Sequence, residues 1–184
     1  MLQTRIHGRG GQGVVTSAEL LSSAAFLEGR HAQAFPSFGS ERTGAPVVAF
    51  CRIDDRPIRT REPIAQPDVL IVQDPTLLHQ VDVFSGLRAG GHVLINTGRS
   101  IAELGLQDIV DRFALVTLPA TELAREHLGR PMPGAPLLGG FAAVTGAVSI
   151  DSLAAAIRER FPASLAEANV AAAQAAHDME LTHA

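Results

Sequence analysis

LQTRIHGRGGQGVV, residues 2–15, is the stretch that decides the fold class. Leu2, Thr4 and Ile6 alternate along it, which is the period of a short β-strand, and the strand runs into a glycine-rich segment at residues 8–13, here called the glycine loop. Over residues 14–28 apolar side chains recur at helical spacing, and Gly29 follows where a left-handed C-terminal cap is expected. The chain therefore opens with strand, glycine loop and helix.

Further strands and helices alternate along the rest of the chain. Short apolar or β-branched runs predict strands at residues 31–35, 47–53, 69–72, 92–96 and 113–118. Helical patterns occupy residues 76–88 and 106–112, and every plausible element beyond residue 137 is helical. Ser164 and Glu167 have the spacing of a capping box that opens a helix running to about residue 179. We expect one domain, residues 1–184, with an α/β, three-layer, Rossmann-like and mostly parallel sheet, helices on both faces and a helical C-terminal portion.

Composition removes several kinds of chemistry. The chain has 184 residues and a net charge of -4, all 15 basic residues are Arg, and Trp and Tyr are absent. Without Lys there is no Schiff base and no Walker-type phosphate lysine. The acidic balance opposes a nucleic-acid or anionic-membrane partner, and one Cys cannot supply an iron–sulfur cluster or a structural zinc site. The N-terminus lacks a charged-then-apolar signal pattern, so a cytoplasmic location is expected.

The glycine loop suggests an anion site. Gly8, Gly10 and Gly13 fit the pattern G-x-G-x-x-G between a strand and a helix, where the backbone can approach a phosphate. A dinucleotide enzyme would also need an acidic residue at the end of the second strand, and residues 31–40 contain none. NAD is therefore disfavoured, whereas a phosphate or diphosphate remains allowed. A tight turn without a ligand is the alternative.

A family resemblance becomes specific in the segment FPSFGSERTGAPV, residues 35–47. Together with Gly10-Gly11-Gln12-Gly13 and with AFCRIDDRPI at residues 49–58, it resembles the gamma subunit of pyruvate:ferredoxin oxidoreductase, in the 2-oxoacid:acceptor oxidoreductase family. The similarity covers nearly the whole chain and includes Leu138-Gly139 and a late helix near Asn169. One departure is Gly134, because family members commonly have Asn a few residues before that Leu-Gly.

The resemblance implies a place in a larger enzyme. Such a complex carries out the coenzyme A-dependent oxidative decarboxylation of a 2-oxoacid, here of the pyruvate type, to acyl-CoA and CO2, or the reverse reaction. It implies thiamine diphosphate, Mg and 4Fe–4S clusters in alpha, beta and delta-type partner subunits, with ferredoxin as acceptor. The gamma chain itself would have no catalytic residue and no metal, and would help to assemble the complex and border a shared coenzyme A site.

The residues expected to face that coenzyme A site come from the glycine loop, the following loop and the end of a strand. They are Gly8, Gly10, Gly11, Gln12, Gly13, Ser40, Glu41, Arg42 and Asn96. Asn96 belongs here because open α/β sheets bind ligands at the carboxyl ends of their strands. Two rival interpretations stay open at this point, a stand-alone nucleotide- or coenzyme A-binding module and a small nicotinamide-dependent enzyme.

A cluster of arginines and a lone cysteine complete the candidates. Arg42, Arg52, Arg56, Arg59 and Arg61 could bind coenzyme A phosphates, because Arg makes bidentate phosphate contacts. The favoured alternative is that they pair on a solvated surface with the acids Glu41, Asp54, Asp55 and Glu62. Cys51 lies in an apolar strand and is interpreted as a buried small hydrophobe, not a nucleophile. A structural role is likewise favoured for His7.

Overall fold

The computed structural model describes residues 1–37 and 43–181. Its centre is a six-stranded sheet with the order β2-β3-β1-β4-β5-β6. The strands are β1 (Leu2–Arg9), β2 (His31–Pro36), β3 (Pro46–Asp54), β4 (Val69–Val72), β5 (His92–Asn96) and β6 (Ala114–Leu118). β1, β4, β5 and β6 pair in parallel, whereas β3 runs antiparallel to both of its neighbours, β1 and β2. The expected mostly parallel α/β sheet is confirmed.

Two apolar layers cover the two faces of the sheet. The first layer contains side chains from all five α-helices, packed on sheet residues such as Ile6, Ile71 and Leu94. These helices are α1 (Val14–Leu27), α2 (Ala120–Leu128), α3 (Gly134–Thr145), α4 (Ile150–Arg160) and α5 (Ala163–His177). The second face, with Leu70 and Ile95, packs against the 3₁₀-helices Pro75–His79 and Gln107–Ile109 and the irregular segments beside them.

The α-helix predicted at residues 76–88 is wrong. The structure has one short 3₁₀-helix, Pro75–His79, followed by turns. The cause lies in β1, where the buried Arg5 guanidinium donates to the backbone carbonyls of Val83, at 2.9 Å, and Ser85, at 2.6 Å. In an α-helix over these residues the Val83 carbonyl would accept a bond from the amide of Leu87, and a charged donor bound to it stabilises the irregular path instead.

Two other helix predictions also need correction, and one helix was not predicted. Residues 106–112 contain only the 3₁₀-helix Gln107–Ile109. The capping box is wrong because α5 already begins at Ala163, so Ser164 lies inside the helix, and no described side chain caps it. Glu167 instead accepts from Arg158 of α4 at 2.7 Å. The helix α2 was not anticipated, since its nine residues contain few apolar side chains.

Cys51 is confirmed as a buried hydrophobe. Its side chain is 0% exposed in the first apolar layer, and burial raises the pKa of its thiol to about 12. Because the thiolate is the reactive form, we expect no reaction of the native protein with a thiol reagent at pH 8 and full reaction once denaturant unfolds it. Absorbance of the released reporter measures both. Rapid stoichiometric labelling without denaturant would contradict the burial of this side chain.

Candidate functional site

The candidate site lies where the parallel strands end. β1, β4, β5 and β6 present their carboxyl ends at one edge of the sheet, which is where open α/β sheets bind ligands. The glycine loop connects β1 to α1 at this edge. β1 extends through Gly8 to Arg9, so the turn itself begins at Gly10, two residues later than the sequence pattern suggested.

The backbone of the glycine loop opens the N-terminus of α1. Gly11 and Gly13 have φ of +91° and +71°, a conformation that L side chains rarely adopt. Gly13 is the N-cap of α1, no described side chain caps the helix, and its first turn contains no acidic residue. The amide groups of the first helical turn have no intrahelical acceptor, and the positive end of the helix dipole lies among them. This arrangement can hold an anion.

Gly8 has a different role from the other glycines of the loop. A Cβ atom at this position would lie 2.5 Å from Val14 Cγ2 and 3.1 Å from the side-chain oxygens of Gln12 and Gln73. Gly8 therefore allows β1 and α1 to approach each other closely.

Two clefts flank Gly13. The larger has a volume of about 290 Å³ and is lined by Arg9, Gly10, Gly11, Gly13, Val14, Val15, Thr16, Val47 and Met132. The smaller, of about 110 Å³, is lined by Gln12, Gly13, Thr16, Ser17, Leu20, Met132, Gly134, Ala135, Phe161 and Asn169. Met132 belongs to both linings, and its Cε lies 3.6 Å from the place a Cβ of Gly13 would take. The larger cleft is lined by the first residues of α1, Val14, Val15 and Thr16, and therefore exposes the helix N-terminus.

Gln12 holds the glycine loop together instead of reaching into a cleft with its amide. Its Oε1 accepts from the backbone N–H of Arg9 at 2.8 Å. Its Nε2 donates to Asp74 Oδ2 at 3.1 Å, across to the segment that follows β4. Both ends of the side chain are thus used within the protein, so the structure assigns Gln12 a positioning role.

Arg9 anchors the same segment and was missed by the sequence reasoning. Its guanidinium donates to Asp74 Oδ2 at 3.1 Å, Thr76 Oγ1 at 2.7 Å, Gln80 Oε1 at 2.8 Å and the Gly44 carbonyl at 3.1 Å. Burial raises the pKa of Asp74, but bonds from Thr76 and Gln12 and the charge of Arg9 outweigh it, so that pKa lies below its ordinary value. The position of Arg9 directly after Gly8 was the one sequence signal that could have identified it, although its partners lie more than 30 residues away.

Loss of this arginine should loosen the loop. We expect Arg9→Met to lower the free energy of unfolding by about 1–3 kcal/mol, because the variant keeps the apolar stem but removes charged hydrogen bonds from a half-buried carboxylate. Arg99→Met is the matched control, since Arg99 is exposed and forms no ion pair with a described residue. Urea unfolding measures both variants, and equal stabilities would contradict the anchoring role.

The polar atoms of the Asn96 side chain are also hydrogen-bonded to other residues of this chain. Its Nδ2 donates to the Gln73 carbonyl at 2.7 Å and to Thr121 Oγ1 at 2.8 Å, and its Oδ1 accepts from the Thr121 amide at 3.0 Å. The residue is 6% exposed. Asn96 therefore ties β5 to β4 and to the start of α2, and its predicted ligand contact would require these bonds to open.

A hydrogen-bonded pair of polar side chains lies beside Gly134, the position at which the sequence departs from the family pattern. Gln73 Nε2 donates to Ser17 Oγ at 2.8 Å, and a Cβ at Gly134 would lie 2.8 Å from the same hydroxyl. Gln73 Oε1 is buried and has no hydrogen-bond partner among the described residues. The Gln73–Ser17 pair therefore occupies the space beside the smaller cleft into which a larger residue at 134 would project.

The structure separates Arg56, Arg59 and Arg61 from the glycine loop. Ser40, Glu41 and Arg42 lie outside the described residues. β3 runs antiparallel to β1, so that Ile53 pairs with Leu2 at the edge opposite the glycine loop, and Arg56, Arg59 and Arg61 follow from there. These three arginines therefore lie at the edge of the sheet opposite the glycine loop.

The predicted pairing of these arginines with Asp54 and Asp55 is also wrong. Asp54 pairs with the amino group of Met1 at 3.4 Å, and Asp55 pairs with Arg30 at 2.9 Å. Arg52 is buried beneath the segment and donates to neutral oxygens. Asp54 and Asp55 do form ion pairs, but with Met1 and Arg30, which are distant in sequence, instead of with the nearby arginines.

Within residues 1–37 and 43–181, no group of three or more His, Cys, Asp or Glu side chains is placed to hold a metal ion. No helix in the same ranges is long and apolar enough to cross a membrane.

Comparison with known proteins gives the family. The family model described as pyruvate ferredoxin/flavodoxin oxidoreductase matches residues 3–179. Pyruvate synthase subunit PorC of Methanothermobacter marburgensis is 48% identical over 178 residues, 97% of each chain. The pyruvate/ketoisovalerate oxidoreductases common subunit gamma of Thermococcus kodakarensis is 48% identical over 185 residues, 100% of this chain and 99% of the relative.

A solved structure gives the same result at the level of the fold. The pyruvate oxidoreductase subunit PORC of Thermotoga maritima superposes with a TM-score of 0.85 and 32% identity, covering 100% of this chain and 98% of that one. Sequence and structure agree from end to end, and the chain belongs to the pyruvate ferredoxin/flavodoxin oxidoreductase family.

Proposed function

We propose that this chain is the gamma subunit of a pyruvate-type 2-oxoacid:ferredoxin oxidoreductase. The observation that carries the proposal is the 48% identity to pyruvate synthase and pyruvate/ketoisovalerate oxidoreductase subunits over practically their whole length. The complex would convert a 2-oxoacid and coenzyme A to acyl-CoA and CO2 and pass the electrons to ferredoxin, or run in reverse. Alpha, beta and delta-type subunits would be its partners, in the cytoplasm.

Thiamine diphosphate, Mg and iron–sulfur clusters are assigned to the partner subunits. The donor set of this chain supports that assignment, because its one cysteine is 0% exposed and its thiol stays protonated. A cluster needs several thiolates. The gamma chain therefore takes no electron-transfer step, and its part is to assemble the enzyme and shape a binding site.

The site that this chain would contribute is for a phosphate of coenzyme A. The uncapped N-terminus of α1 and the open conformation of Gly11 and Gly13 suit a phosphate group in the larger cleft. Arg9 and Gln12 would hold the loop in place through Asp74. Arg42 stays the candidate side-chain cation, since the Arg9 guanidinium is occupied within the protein.

Reconstitution tests the subunit assignment. Companion subunits are purified without this chain, and pyruvate- and coenzyme A-dependent reduction of ferredoxin is followed before and after it is added. We expect activity to depend on the added chain in stoichiometric amount. Full activity without the chain, with no change on addition, would contradict a role in the enzyme.

Calorimetric titration of the assembled complex with coenzyme A tests the binding site. Gly11→Ala should weaken binding about tenfold, because Ala at positive φ costs about 1–2 kcal/mol and distorts the loop. Gly90→Ala is the matched control, since Gly90 has a φ of +75° and similarly open surroundings but precedes β5 at the opposite edge of the sheet. Unchanged affinity in Gly11→Ala would remove the glycine loop from the site, and unchanged affinity in Arg42→Ala would remove Arg42.

A further inference from the structure

The segment between β3 and β4 carries arginines that form no ion pair with a described residue. Residues 55–66, here called the arginine loop, contain Arg56, Arg59 and Arg61 within six positions. All three side chains are exposed, and none forms an ion pair with a described residue. The chain as a whole has a net charge of -4, so this loop is a local reversal of its charge.

The acids that could neutralise the arginine loop are used elsewhere. Asp54, directly before it, pairs with the amino group of Met1, and Asp55 pairs with Arg30 next to β2. Glu62 is the remaining acid in the loop, and its charge acts on the buried Arg52. Three arginines that form no ion pair with a described residue, beside the single acid Glu62, leave a positive potential at this surface.

Hydrogen bonds from side chains of the sheet anchor the backbone of the arginine loop. Arg52 is 3% exposed and donates to Gln3 Oε1 at 3.2 Å, Gln33 Oε1 at 3.2 Å and the Glu62 carbonyl at 2.5 Å. Ile64 is 2% exposed, and Gln3 Nε2 donates to the Gln66 carbonyl at 3.3 Å. The backbone that carries the exposed arginines is thus anchored at several points. A fixed array of charges loses less entropy on binding than a free loop does.

We propose that the arginine loop is a contact surface for an acidic patch on a companion subunit, an inference that rests on the proposed function. Charge complementarity selects the partner, because unpaired guanidinium groups on a fixed backbone match surface carboxylates. Two observations favour a protein surface over a small anion. The three side chains are exposed and line neither of the clefts beside the glycine loop, and they lie at the opposite edge of the sheet.

Charge reversal in the assembled complex tests the surface. One variant combines Arg56→Glu, Arg59→Glu and Arg61→Glu. The matched control combines Arg99→Glu, Arg125→Glu and Arg130→Glu, which changes the net charge equally at three exposed arginines on other parts of the chain that also form no ion pair with a described residue. Native mass spectrometry at increasing salt gives the fraction of complex that retains the gamma chain. We expect the first variant to bind about tenfold or more weakly and the control to bind as the wild type does.

Hydrogen exchange adds a measurement that needs no variant. Amides of residues 56–62 in the wild-type chain should exchange more slowly in the complex than in the isolated chain. Equal exchange, together with equal assembly of the charge-reversed variant and the wild type, would overturn the interface while leaving the proposed function standing. Intact assembly of that variant with weakened coenzyme A binding would also overturn it, in favour of a small-anion site. Failure of the wild-type chain to assemble would overturn the proposed function itself.

Discussion

Gly139→Ala should lower the free energy of unfolding by about 3 kcal/mol or more, because it forces overpacking against backbone that cannot move aside. A Cβ at Gly139 in α3 would lie 2.0 Å from the carbonyl oxygen of Ala173 and 2.9 Å from its Cα. Ala173 belongs to α5, so the two helices could accept the methyl group only by separating. Chemical denaturation of the purified chain measures the change.

Two other glycines provide graded controls. Gly140→Ala would meet the flexible side chain of Leu118 at 2.9 Å, so a smaller loss is expected. Gly98→Ala should be close to neutral, since the nearest atom, Cβ of Pro119, is 3.8 Å away and the φ of Gly98 is not positive. Equal stability of the Gly139 and Gly98 variants would contradict the close helix contact. The Leu138-Gly139 element of the family resemblance thus has a packing explanation.

Acidification should destabilise the protein through His7. Burial, and then the charge of Arg5, lower the pKa of His7 to about 4, whereas an unfolded histidine has a pKa of about 6.5. Between these values the unfolded chain binds more protons, so stability is fully present above pH about 6.5 and falls as the pH decreases to about 4. The difference corresponds to about 3 kcal/mol for this group, which is 7% exposed.

His7→Gln isolates this contribution. Arg5 Nε donates to His7 Nε2 at 3.0 Å, and a glutamine oxygen can accept that bond without titrating. We expect the stability of the variant to change less between pH 7 and pH 4 than that of the wild type. His31→Gln, at an exposed histidine, should retain the wild-type slope. Identical pH dependence in the wild type and His7→Gln would show that His7 is not the group responsible.

Sequence patterns located the strands that are covered on both faces. β4 and β5 coincide with the predicted residues 69–72 and 92–96, because an uninterrupted apolar run leaves few alternatives for a short segment between turns. The glycine loop and α1 were also predicted, since their signals are local. The antiparallel insertion of β3 between β1 and β2 was not, because strand order depends on contacts distant in sequence.

The roles of the polar side chains could be assigned only from the structure. Gln12 and Asn96 have the residue types and positions of ligand contacts, yet their partners, Asp74 and Thr121, lie 62 and 25 residues away. The helical pattern at residues 76–88 failed for a similar reason, since Arg5 binds the carbonyls of that segment from 78 and 80 residues away. Local spacing cannot show which hydrogen bonds a distant strand will satisfy.

Affinity purification of this chain, expressed together with its companion subunits, tests the central claim most directly. We predict that it elutes as one component of a stoichiometric complex that carries thiamine diphosphate and the colour of iron–sulfur clusters, while the chain expressed by itself is colourless. A chain that elutes alone from the co-expression, colourless and with bound NAD, would contradict the assignment as a gamma subunit.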